Sequence, residues 1–187
     1  MRVKTLAETL ATQPRKVNPR PPHLSFLATA RRGAYYFSVV KWTAAILAGL
    51  AAGALATIVE IVLWLVFTDA LPGILFRDAR FAAAIVMGPS ALSPTVDMDW
   101  RILLVATIVH FDLSVVYALI LCAMIWRLHV FSSLVVGALF GALLYVINMY
   151  GFTAVFPWFA AARDWITFVA HVTFAMIAAG TYRVLTR

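Results

Sequence analysis

Four residues able to do chemistry stand inside otherwise apolar runs: Glu60, His110, Asn148 and His171. A carboxyl and two imidazoles can pass a proton, pair as ions or hold a cation, and an amide can orient an imidazole. An ionisable group in lipid costs roughly 2.5–3.5 kcal/mol even on the lenient insertion scale, so these side chains are expected to face a helix bundle or a wet cavity. Glu60 is then expected to be protonated or paired with an imidazolium. Supporting polar residues recur at helical spacing: Thr57 before Glu60, Ser114 and Tyr117 on the face of His110, Tyr145 before Asn148, and Thr167 before His171. Counted inward at ~1.5 Å per residue, the four central residues fall roughly 8–12 Å below one membrane surface. That shared level makes them a candidate buried proton site. Alternatively, they only hydrogen-bond across helices and fix the bundle. Asp112 differs, because it points about 200° away from His110 onto a Val/Ile face. A neighbouring subunit or the segment 81–87 would have to satisfy it.

The elements that position these residues follow from run length. Crossing a ~30 Å hydrocarbon core takes about 20 helical residues. Four stretches qualify, near 42–67, 102–126, 130–156 and 166–185. Between the first two lies a long loop, 68–101, whose apolar piece 81–87 is too short to span. The chain is 64% hydrophobic and 12% charged, against about 25% charged residues in soluble domains. The expectation is an all-α, integral membrane four-helix bundle (residues 38–187) behind a basic, proline-bearing tail (residues 1–37). The tail holds seven Lys and Arg against Glu8 alone. Such a segment suits anionic headgroups; nucleic acid is not expected as a partner of a membrane-tethered tail. It contains no apolar run long enough for a signal-peptide core, so no cleaved leader is expected. A single cysteine, Cys122, rules out an intrachain disulfide.

Orientation follows from Lys and Arg. Eleven fall on the side of the tail, Lys41, Arg127 and the C-terminus, and four (Arg77, Arg80, Arg101, Arg163) on the other. The positive-inside rule places both termini in the cytoplasm. Trp100, Trp158 and Trp165 would then mark the outer interface.

Two stretches echo each other. Gly49, Gly53, Thr57 and Glu60 share one helical stripe, as do Gly137, Gly141, Tyr145 and Asn148. Each stripe is followed by an Arg-Asp pair, Arg77-Asp78 or Arg163-Asp164, and then by a helix with a histidine. A parallel duplication of a helical hairpin would produce this pattern. The glycines read first as helix-packing positions, since small residues four apart let backbones approach closely in lipid. Their partner is a helix of this chain or of another copy.

Sharper chemistries have less support. Two histidines at one depth on different helices have the composition of a single b-type haem site. Glu60, His110 and His171 have that of a metal site, but without a local ligand pair. There is no nucleophile elbow, metalloprotease motif or phosphate loop. Neither a cofactor, a metal nor an enzymatic activity is expected.

The runs VATIVHF, YVINMYGFTAVFPWF and ARDWITFVAHVTF resemble a family of small proteobacterial inner-membrane proteins of unestablished function, some labelled "sodium:proline symporter". The Pro-Trp followed by a His-bearing fourth helix also resembles YagU-like inner-membrane proteins. The resemblance implies four helices in a bacterial inner membrane and assigns no residue a role. The symporter label conflicts with the span count, because sodium–solute symporters use two inverted repeats of several helices each. The leading functional expectation is proton-linked passage of a small solute or ion through a homo-oligomer. The alternative is an accessory subunit docking a larger membrane complex through its glycine faces.

Overall fold

The computed structural model describes residues 40–93 and 99–187. The basic tail, with its expected headgroup contacts, lies outside the described residues. Five helices follow: α1 Trp42–Phe67, α2 Gly73–Met87, α3 Trp100–Ile125, α4 Val130–Val146 and α5 Trp165–Leu185. No strand occurs among the described residues. Four segments are long and apolar enough to cross a membrane: Trp42–Phe67, Trp100–Ile125, Val130–Ala154 and Trp165–Leu185. The fold is an all-α membrane bundle, and its outward faces carry the expected apolar side chains, among them Leu47, Ile58, Leu65, Leu139 and Val184.

Local chemistry sets the helix ends. The Asp99 carboxylate accepts the Arg101 N–H at 2.9 Å and opens α3. Asp164 accepts the Thr167 N–H at 2.8 Å and opens α5. Both supply an acceptor to the free N–H groups of a first turn. α2 stops at Gly88, whose φ of +80° suits a residue without Cβ.

Two of these elements differ from the sequence expectation. Residues 73–87 form one 15-residue helix rather than a loop with a short apolar piece. Arg77, Asp78 and Arg80 break the apolar run but not the helix, because their backbone still bonds i to i−4. α4 also leaves α-geometry early, passing through a π turn at Ile147–Gly151 and a 3₁₀ turn at Phe152–Ala154 before the 3₁₀ segment Pro157–Ala162.

The packing runs α3, α1, α5, α4. α5 packs extensively on both α1 and α4, α1 also packs on α3, and α2 lies along α3. α3 and α4 are sequence neighbours joined by a short turn, yet they touch little. Alanines make the α1–α5 seam close: Ala45, Ala48 and Ala52 on α1 and Ala175, Ala178 and Ala179 on α5 are fully buried. The glycine stripes are filled from within the chain. A Cβ on Gly49 would fall 2.9 Å from Ser114 O and Val115 Cα of α3, and one on Gly141 would fall 2.6 Å from Val172 Cα of α5. Each glycine-bearing helix thus packs on the membrane-spanning helix that follows it, with its second glycine opposite a histidine. Those stripes are therefore not free to dock a partner protein.

Candidate functional site

Between the splayed α3 and α4 lies a cavity of about 430 Å³. All five helices and the segment after α4 contribute to its wall. Glu60, His110, Asn148 and His171 all line it, with Thr57, Ser114, Tyr117 and Thr167. Shared depth on four helices becomes a shared cavity because α1, α3, α4 and α5 each turn that face inward.

The polar residues form two separate networks. In the first, the Thr57 hydroxyl donates to Gly53 O at 3.0 Å, which leaves Thr57 Oγ1 as the acceptor for His110 Nε2 at 3.2 Å. Nε2 also lies 3.4 Å from Gly53 O, so both neighbours of this nitrogen accept and it carries the proton. Ser114 donates to His110 O one turn back, at 2.7 Å.

The second network links α3, the π turn after α4 and α5. Tyr117 Oη donates to Asn148 Oδ1 at 2.9 Å. Asn148 Nδ2 lies 3.2 Å from His171 Nε2, and His171 Nδ1 lies 2.8 Å from Thr167 O. With a carbonyl facing Nδ1, the ring proton belongs there and Nε2 accepts from the amide. Thr167 continues the chain, its hydroxyl donating to Asp164 Oδ2 at 3.2 Å. Asn148 joins this network from the π turn, a distortion that recurs at functional sites. Tyr145 backs the network without lining the cavity, with its ring edge-on to His171 at 5.8 Å.

α2 and the segment after α4 roof the cavity. Trp158 Nε1 donates to Phe81 O at 3.1 Å, and the rings of Phe81 and Phe159 meet edge-to-face at 6.0 Å. Arg77 bonds Asp78 at 2.8 Å and reaches Ala161 O at 3.1 Å. Burial pushes the Asp78 carboxyl above its ordinary value, while the Arg77 guanidinium pulls it back. Asp78 lines the cavity and sequence reasoning missed it as a site residue. Its only signal was the Arg-Asp pair, read as a mark of the repeat. The aromatic wall of Phe81, Phe152, Phe156, Phe159 and Phe174 had no signal beyond hydrophobicity.

Glu60 and Asp112 stand apart from both networks. The Glu60 side chain faces the cavity, and among the described residues it makes no hydrogen bond or ion pair. Asp112 is exposed on the outer face of α3, near its midpoint, and has no such partner either. α2 does not reach it, since α2 packs α3 through Ala79, Ala82 and Ala83 against Ile102, Val105 and Ala106.

The geometry also bears on haem and metal. Both nitrogens of His171 are held by protein groups, so a haem iron would have to displace one of them. Among the described residues, no three His, Cys, Asp or Glu side chains converge to hold a metal ion. What the arrangement offers is an apolar, aromatic chamber with one free carboxyl, two imidazoles and a hydrogen-bonded path from Tyr117 to Asp164. No protein-family model, curated protein or solved structure matches this chain.

Proposed function

We propose that this membrane protein, in a bacterial inner membrane with both termini cytoplasmic, binds a small solute in the cavity and couples its passage to protonation of the lining groups. One observation carries the reading: a cavity of about 430 Å³ among the apolar helices, lined by Glu60, Asp78, His110 and His171. That volume lies in the range of small-molecule sites, and ionisable groups buried in a membrane characteristically mark substrate pathways and proton relays. A purely structural network would be expected to close over its polar groups, whereas among the described residues Glu60 makes no hydrogen bond or ion pair. The test is solute-driven proton flux in proteoliposomes, compared between wild type, Glu60→Gln and His171→Ala. Flux that survives both substitutions unchanged sinks the proposal.

A second reading, assembly with other copies or with a larger membrane complex, is favoured by Asp112. Its carboxyl sits on an exposed ridge with Leu104, Ile108, Val116 and Ile120, where lipid alone is a costly neighbour. The two readings are compatible, because the ridge faces away from the cavity.

A further inference from the structure

The charges and rings around the cavity point to the class of solute. The fixed charges acting on Glu60 are the acids Asp78 and Asp164 and the cation Arg77. Arg77 bonds Asp78 through Nε and Ala161 O through Nη1, and its Nη2 meets Asp78 Oδ1 at 2.8 Å as an ion pair only, while Asp164 caps the first turn of α5. Arg163 is turned away, its guanidinium on Met149 O at 2.7 Å and over the Tyr150 ring. His171 adds no compensating charge in the tautomer its partners select, because its Nε2 accepts from Asn148. Among the described residues, therefore, the charges acting on Glu60 are two acids and one cation, and Glu60 makes no hydrogen bond or ion pair.

The lining of the same cavity is rich in aromatic rings, with Phe81, Phe152, Phe156, Phe159 and Phe174 drawn from three separate parts of the chain. Aromatic faces carry a negative quadrupole and attract desolvated cations, while their area favours an apolar body. A bare inorganic cation is a poor fit, since hard cations need six or more converging oxygens. The described His, Cys, Asp and Glu side chains form no cluster of three. An anion would face Glu60 directly, and a neutral solute could hydrogen-bond the carboxylate but would leave its charge uncompensated.

We infer that the cavity takes an organic monocation, whose single charged nitrogen pairs with Glu60 and whose apolar body lies against the phenylalanines. The inference rests on reading the cavity as a solute site and adds the chemical class of the solute. A proton on Glu60 and the bound cation would then compete for one carboxyl.

The test uses the purified full-length protein in mild detergent and equilibrium dialysis corrected for partition into empty micelles. The probes are benzyltrimethylammonium, its uncharged carbon isostere neopentylbenzene, and the anion phenylacetate. The expected result is cation binding about tenfold or more tighter than the isostere, the equivalent of about 1.4 kcal/mol, with phenylacetate weakest. Glu60→Gln should bring the cation and isostere affinities together. Should that variant misfold, the wild-type ranking of the three probes still decides. Equal binding of cation and isostere overturns the inference and leaves the cavity reading standing. If none of the three binds, the cavity reading falls together with the inference.

Discussion

Asn148 Nδ2 lies 3.2 Å from Nε2 of His171, and this contact ties the π turn after α4 to the N-terminal third of α5. With Tyr117 donating to the other end of the same amide, Asn148 is satisfied in one orientation only while Nε2 is an acceptor. Protonating His171 would set two donors face to face, and the amide would have to turn over. Asn148→Asp replaces the donor by an acceptor and should favour the doubly protonated imidazole. Side-chain ¹⁵N NMR of labelled protein should then show a cationic His171 at a pH where wild type shows the neutral Nδ1–H form. Asn148→Leu strands Nε2 and the Tyr117 hydroxyl, at a cost of about 1–3 kcal/mol. A wild-type melting temperature in Asn148→Leu would contradict this.

The glycines divide by what a methyl would meet. At Gly141 the added carbon falls 2.6 Å from Val172 Cα, backbone that cannot swing aside, whereas at Gly180 its nearest neighbour is Leu134 Cδ2 at 3.6 Å. Gly141→Ala is expected to destabilise by about 1–3 kcal/mol through overpacking. Gly180→Ala should be neutral or stabilising by up to about 1 kcal/mol through helix propensity. Thermal unfolding of the two variants in one detergent ranks them directly. The reverse order would mean that α4 and α5 are not packed as described.

Asp112 should report on assembly. If another protein covers its ridge, native mass spectrometry of material extracted from its own membrane shows more than one chain. Asp112→Leu should then weaken that assembly, since losing a buried polar partner typically costs about 1–3 kcal/mol. A wild type that is always monomeric, with Asp112→Leu only raising its melting temperature, removes the assembly reading.

The roof should loosen when its clasp is cut. Trp158→Phe keeps an aromatic side chain, though a smaller one, and deletes the hydrogen bond to Phe81 O, itself worth about 1 kcal/mol. Amide exchange across α2 should rise while exchange in the α1–α5 seam stays at the wild-type rate. Asp78 adds a pH dependence. Burial raises its carboxyl above the ordinary value of 3.8, so the folded state holds this proton more tightly than the unfolded chain does. That contribution is greatest at acid pH, is lost as pH rises from about the ordinary value through the raised one, and is flat above it. Protection of α2 should therefore fall over that window in wild type and change less in Asp78→Asn.

Much of this protein was legible in the order of its residues. Run length alone determines four spans, because lipid requires every backbone polar group to be satisfied within a segment. Helical period put Gly49, Gly53, Thr57 and Glu60 on one stripe and set Glu60, His110, Asn148 and His171 at one depth. Tertiary structure decided what depth and period cannot carry, namely which face meets which. It sent the first glycine stripe to α3 and the second to α5, and left α3 and α4 apart. It paired His171 with Asn148 and His110 with Thr57 rather than either with Glu60. It also revealed α2, whose Arg77, Asp78 and Arg80 hid a helix from any reading based on hydropathy, and brought Asp78 into the cavity wall. Spans and stripes follow from local terms summed along the chain, whereas partners depend on the rotation and spacing of whole helices, which only their mutual packing sets.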